Sequence, residues 1–196
     1  MVDGLVFDKD THEYKVNGLV IPSVTQIIQG AGLTNFANVP DFILQEKADL
    51  GTKVHSATEL YDKGTLDKKS LHPILKKYLN SWIKFKKDFD FVVEDIEEVY
   101  YHPLYKSIGR VDRVGTIKSK KVLLDIKSGV KYKTHAIQTA GYKILHDYGK
   151  PKSEQIKERY TVYLSETGYK VEPNKDQTDE NVFLAALTIF NFLNKK

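Results

Sequence analysis

The chain of 196 residues contains no cysteine. Disulfides, thiolate zinc sites, a cysteine nucleophile and a cysteine-ligated iron–sulfur cluster are therefore all excluded. No stretch approaches the roughly 18 consecutive apolar residues that a membrane-spanning helix needs. The opening residues, MVDGLVFDKD, lack the basic segment and apolar run of a secretory signal, so a soluble, cytoplasmic protein without a membrane partner is expected. There is no phosphate-binding loop of the G-x-x-x-x-G-K-[ST] type, which argues against a nucleotide-driven motor. Internal repeats, low-complexity tracts and long linkers are also missing.

What remains is an ordinary globular composition, 41% hydrophobic and 29% charged. The net charge of +4 and the pI of about 8.9 suit a polyanionic partner without identifying one. The length supports one well-cored domain over residues 1–196. Its expected parts are an N-terminal hairpin and helices over 1–90, a core over about 91–165 and a C-terminal helix over about 178–194.

Residues 5–25, LVFDKDTHEYKVNGLVIPSVT, read as small antiparallel structure with a tight turn at Asn17-Gly18. A short helix follows from Ser23. A longer one begins at Pro40 and ends at Gly64, with Gly51 inside it at a cost of about 1 kcal/mol relative to alanine. Leu71, Leu75, Tyr78, Leu79, Trp82 and Phe85 form one apolar stripe of a further helix. Three strand candidates come next: FVVEDIEEVYY, IGRVDRVGTI and KVLLDIKSG. A helix over KTHAIQTAGYKILHDYG, the alternating strand ERYTVYLSE with a turn at Thr167-Gly168, and a last helix that Thr178 caps complete the chain. This order predicts an α/β (α+β type) fold with a central mixed β-sheet flanked by helices.

The third strand candidate raises a chemical question. Side chains alternate across a strand, so Val122, Leu124 and Ile126 share one face while Leu123, Asp125 and Lys127 share the other. Taken alone, an Asp-x-Lys pair is a surface ion pair worth about 0–1 kcal/mol. A hairpin with the preceding strand, however, sets Asp112 beside Asp125. Two carboxylates forced together repel unless a cation neutralises them. A hard divalent cation takes oxygen ligands, and Lys127 beside it stabilises charge on a phosphate.

This arrangement resembles the PD-(D/E)XK nuclease superfamily, in particular its RecB-type branch of phage and recombination exonucleases. GRVD supplies the strand acid, Asp112, and LLDIKSG the acid–x–Lys, Asp125 and Lys127. IQTAGY supplies the Gln–x–x–x–Tyr pair, Gln138 and Tyr142. GTKVH matches the helix motif whose histidine, here His55, is a metal ligand, and IPSVTQII looks like the N-terminal segment of phage-type members. The resemblance spans Leu5 to about Leu164. It implies a restriction-endonuclease-like core and Mg²⁺- or Mn²⁺-dependent hydrolysis of DNA, with exonuclease favoured over endonuclease by analogy with the branch.

The ligands so implied are His55, Asp112, Asp125 and the backbone carbonyl of Ile126, around one or two ions, with Asp112, Asp125 and Lys127 as the catalytic set. A further acid one strand earlier is either Glu97, which spacing favours, or Glu98. Thr52 and Ser128 are expected to assist by hydrogen bonding. Gln138, Tyr142, Arg110 and Lys131 are expected at the substrate, within a surround of Lys121, Lys133, Arg113 and Lys143 interleaved with Tyr100, Tyr101, Tyr105 and Tyr132. Cations beside aromatics suit a strand with exposed bases. DNA is the expected partner, with a homo-oligomer or a recombination protein as a further one. A non-catalytic DNA-binding module retaining the fold is the main rival, and the intact acid–acid–lysine set argues against it.

Overall fold

The computed structural model describes residues 4–8, 11, 13–34 and 39–195. Lys9, Asp10 and His12 of the expected N-terminal antiparallel stretch, and Lys196 of the last helix, lie outside the described residues. Strands β1 (Leu5–Asp8), β2 (Glu13–Val16) and β3 (Leu19–Ile21) form a small antiparallel sheet. Its β2–β3 turn is Asn17-Gly18, with φ 51° and 79°, the left-handed pair that a two-residue hairpin requires. Helix α1 (Val24–Gly30) starts at Ser23 with a capping box. The Gln26 N–H donates to the Ser23 hydroxyl, and the Ser23 N–H to the Gln26 side chain.

Helices α2 (Asp41–Asp62) and α3 (Pro73–Asp88) precede a five-stranded mixed sheet of β4 (Val92–His102), β5 (Ser107–Ile117), β6 (Lys120–Lys127), β7 (Glu158–Ser165) and β8 (Gly168–Pro173). The strands lie in sequence order, antiparallel except for β6 and β7, which run parallel. A parallel pair needs a crossover, and α4 (Thr134–Asp147) supplies it. Helix α5 (Thr178–Leu193) closes the chain. The expected mixed sheet flanked by helices is what forms.

Both faces of the sheet are covered. Val122, Leu124 and Ile126 of β6 pack with Val54 of α2 and with Tyr78, Leu79, Trp82 and Phe85 of α3. The predicted stripe of α3 is thus its core face. On the other side Leu123 joins Val111 and Val114 of β5 against α1, α4 and α5. Among the described residues no helix is long and apolar enough to cross a membrane.

Two local details differ from expectation. The residues after the Thr167-Gly168 turn form β8, a short edge strand in which only Tyr169 and Val171 turn towards the core. At α5 the cap is not the Thr178 side chain. The Asp176 carboxylate accepts both the N–H of Thr178, at 2.8 Å, and its hydroxyl, at 2.7 Å. An acid two residues earlier offers the better acceptor.

Candidate metal centre and cleft

The centre of interest is a fork in the sheet. Pairing between β5 and β6 runs from Ile117↔Lys120 to Arg113↔Leu124 and stops there. Meanwhile β5 stays paired with β4 as far as Ser107, and β6 with β7 as far as Lys127. Asp112 is therefore the first β5 residue at the parting. One carboxylate oxygen accepts the backbone N–H of Ile126 at 2.6 Å, bridging the gap. The other faces His55 Nδ1 of α2 at 3.6 Å.

Glu97 completes the group from β4. Register pairs Ile96↔Arg113 and Glu98↔Val111 bracket it, so Glu97 stands opposite Asp112. Its φ is 53°, a left-handed conformation that costs a non-glycine residue about 1–2 kcal/mol. Strain of this kind in mid-strand persists where the surroundings impose it, and here it accompanies a re-aimed side chain. The Glu97 carboxylate lies 3.7 Å from His55 Nδ1 and 3.2 Å from a guanidinium nitrogen of Arg113. His55, Glu97 and Asp112 each bring a ligand atom within 4.8 Å of the others, so this group can hold a metal ion. Of the two acids left open, Glu97 belongs to this group, while Glu98 is exposed and outside it.

Asp125 and Lys127 stand beside it. Their side chains meet at 2.9 Å, with Asp125 1% exposed. Burial, with Asp112 adding to it, pushes the Asp125 carboxyl above the usual carboxylate range, although Lys127 opposes this. Burial also works against the Lys127 ammonium, but the attraction of Asp125 and Asp112 outweighs it and holds the lysine charged. The second Asp125 oxygen is buried with no hydrogen-bond partner. A buried acceptor left open is costly in a folded protein, and a cation at this point would satisfy it. A donor set of one imidazole and carboxylates fits a divalent cation. Asp125 itself lies outside the group of three.

His55 reports the field of this cluster. Burial alone lowers its pKa, but Asp112 and then Glu97 outweigh that and raise it to about 9. At neutral pH the imidazole carries a proton that a metal would have to displace.

Other expected site residues distribute as follows. Gln138 and Tyr142 lie on one face of α4, and the Gln138 amide donates to the Tyr142 hydroxyl at 2.9 Å. Burial, then Asp125 and Asp112, raise the Tyr142 pKa, which places this phenol within reach of both carboxylates' charge. Arg110 is exposed on β5 with its guanidinium 5.5 Å from the Phe7 ring, beside Tyr14. Lys131 pairs with Glu172 at 2.7 Å. The Thr52 hydroxyl donates to the Ala48 carbonyl of its own helix at 3.0 Å and so is committed elsewhere. Ser128 lies against Gly51, where an added Cβ would stand 3.5 Å from its hydroxyl oxygen. That is ordinary contact, so crowding does not explain this glycine. Ile126 contributes its N–H to Asp112.

Arg113 requires a correction. Expected among the surface cations, it is fully buried. It donates to Asp62 of α2 at 2.8 Å, Thr58 of α2 at 3.3 Å, Glu97 of β4 at 3.2 Å and its neighbouring carbonyl at Asp112. The guanidinium lies 5.7 Å from the Trp82 ring centroid. Arg113 thus ties the helix that carries His55 to the strands that carry Glu97 and Asp112. Tyr100 and Tyr101 likewise belong to packing, Tyr100 against the α4 cluster and Tyr101 against the N-terminal sheet. Lys121 pairs with Glu94, and Lys143 with Asp147 and Glu180.

His135 went unnoticed in the sequence. It sits three residues before Gln138 and seven before Tyr142, at helical spacing, which was the available signal. Its Nδ1 meets the Tyr163 hydroxyl at 2.8 Å. Burial and then Lys127 lower its pKa to about 4, so the ring is neutral. His135 lines a cleft of about 550 Å³ that runs from His55 and Gly51 of α2 to Lys127 and the loop after β6.

No family model matches the sequence, and no curated protein matches it. Among solved structures, the crystal structure of SSO0001 is similar with a TM-score of 0.40 and 13% identity, over 74% of this chain and 75% of that one.

Proposed function

We propose that the protein is a Mg²⁺- or Mn²⁺-dependent deoxyribonuclease of the PD-(D/E)XK type, hydrolysing DNA phosphodiester bonds as an exonuclease in replication, recombination or DNA degradation. The observation that carries this reading is the meeting of His55, Glu97 and Asp112, from three separate elements, beside the Asp125–Lys127 pair at the fork of β5 and β6. An isolated surface ion pair has no use for such a neighbourhood. A phosphodiester has a use for each part.

His55, Glu97 and Asp112, with the open oxygen of Asp125, would hold the cation. A divalent ion bound there supplies Lewis-acid polarisation of the phosphate and lowers the pKa of a coordinated water. Lys127, held charged against Asp125, places its ammonium where negative charge develops on the phosphoryl oxygens. Asp112 keeps the two strands in register through the Ile126 N–H, so the ligand geometry does not depend on the ion alone. Arg113, with Asp62 behind it, holds Glu97 in place from inside the protein. The hydroxyl of Tyr142 stays protonated and can donate to a phosphate oxygen on the α4 side.

End-labelled single- and double-stranded DNA, incubated with Mg²⁺, with Mn²⁺ and with chelator, tests the reading directly. Cutting that requires the metal, and that Asp125→Ala and Lys127→Ala abolish, is expected. No cutting under any metal, or cutting that survives both substitutions, sinks it. Linear against circular substrate then separates exonuclease from endonuclease.

A further inference from the structure

The cleft beside the acids is not lined as a phosphate channel. Leu44, Ala48 and Leu50 of α2 form one wall, and Val130, Tyr132 and His135 another. Val130 is 59% exposed and Tyr132 43%, so apolar and aromatic surface faces the opening. Positive charge comes from Lys47, on the α2 wall, and from Lys127, which is paired with Asp125. Beyond Tyr132 the same surface continues into a second groove of mixed charge, where Lys131, Lys133 and Lys175 stand among Glu172, Asp176 and Asp179 and Lys131 is paired with Glu172. His135, neutral because burial and Lys127 disfavour its proton, adds a flat ring without charge.

A base-paired duplex has nothing to offer such walls. Both faces of each base are covered by stacking, and what it shows is sugar, phosphate and the polar edges of the grooves. An unstacked base shows a broad apolar face of the size this cleft accepts. The 550 Å³ falls within the range of about 300–1,000 Å³ over which pockets enclose a small ligand. A phosphate at His55 and Lys127 has this wall beside it for the attached base, because the same cleft is lined by both. Aromatic platforms with cations between them are the general means of holding a single strand without reading its sequence.

We propose that the cleft between α2 and the 128–132 loop is a subsite for one unstacked nucleobase, which makes single-stranded or end-frayed DNA the substrate in preference to intact duplex. The inference rests on the nuclease reading for its substrate, and its test is chosen so that the two fail separately. Binding is measured in chelator, where no turnover occurs. The probes are a fluorescein-labelled oligonucleotide, its blunt duplex, and single strands carrying 2-aminopurine at either end. The single strand is expected to bind at least about tenfold more tightly than the duplex. The 2-aminopurine emission at one end should change as the base leaves its neighbours for the Tyr132 wall. Tyr132→Ala should weaken single-strand binding about fivefold or more and remove the emission change, with duplex binding unaltered. Val130→Asp, at an exposed loop position where folding is not at stake, should do the same by setting a carboxylate in the base's path. Equal affinity for strand and duplex overturns the subsite whatever the protein cuts, and so does single-strand binding that both substitutions leave unchanged. Metal-dependent cutting of blunt duplex at the single-strand rate overturns the subsite alone. Absence of all cutting overturns the nuclease reading while the binding experiment still decides the cleft.

Discussion

Replacing Arg113 by methionine keeps most of its volume and removes its charge. In the native protein this guanidinium is fully buried. It holds two carboxylates, Asp62 at 2.8 Å and Glu97 at 3.2 Å. Removing one partner of a buried ion pair costs about 3–5 kcal/mol, because the remaining charge is left without compensation. Here the loss is partly relieved. Asp62 keeps Lys86 at 2.6 Å and the Trp82 indole N–H at 3.0 Å, and the Glu97 side chain is 13% exposed with His55 nearby. The lower end, about 3 kcal/mol, is therefore expected, a fall in melting temperature of about 6–12 °C for a chain of this size. The second consequence distinguishes a positioning role from mere bulk. Without Arg113 the tie from Asp62 and Thr58 of α2 to Glu97 is lost, which loosens the register of His55 on Glu97. Loss of a side chain that orients metal ligands typically costs about 10–100-fold in metal affinity, and Mn²⁺ binding should weaken by that factor. Arg113→Lys should recover part of the stability but little of the affinity, since an ammonium cannot fork between two carboxylates. Denaturant unfolding at fixed pH and Mn²⁺ titration calorimetry measure the two effects. An Arg113→Met protein within about 1 kcal/mol of wild type, binding Mn²⁺ undiminished, would refute the assignment of this residue as the internal brace of the site.

Three further outcomes are expected. His55 has its folded-state pKa raised from 6.5 to about 9, so in metal-free protein its stabilisation is fully present below pH 6.5 and disappears as pH rises through 9. Mn²⁺ must displace that proton, so Mn²⁺ affinity should climb about tenfold per unit between pH 7 and 9 and then level; a flat profile, or a slope that His55→Asn preserves, contradicts this. At Glu97, with φ 53°, glycine should exceed alanine in stability by about 1 kcal/mol, although both lack the carboxylate. The opposite order, normal for strand interiors, would mean that the backbone there is not left-handed in solution. Gly141→Ala should destabilise by about 1–3 kcal/mol, since the new Cβ would meet the Phe183 ring at 2.8 Å and Val24 at 2.9 Å; thermal melting without loss would place α4, α5 and α1 further apart than they are here.

Much of the fold was legible because its signals are local. Asn17-Gly18 names its own turn, Ser23 and Gln26 cap each other across three residues, and the stripe from Tyr78 to Phe85 repeats at the helical period. Strand β8 was less legible. A six-residue edge strand has only Tyr169 and Val171 to mark its inner face, and that alternation is too short to stand out. Thr178 offered the residue type of a cap, but the acceptor is Asp176, two residues before it, to which Thr178 itself donates.

The candidate site divides along the same line. Alternation along β6 is a property of the chain itself, so Asp125 and Lys127 had to share a face whatever surrounded them. The spacing of Gln138 and Tyr142 did the same for α4. Which carboxylate of the Glu97-Glu98 pair turns inward was decided by the register of β4 on β5 and by one left-handed residue, neither of which is written in a dipeptide of identical acids. Whether Arg113 faces solvent or the interior was decided by the arrival of Asp62, 51 positions away in sequence, to compensate its charge. Side-chain period follows from backbone geometry and is carried by every few residues. The environment of a charge follows from what the folded chain brings to it, and only the packed structure sets that.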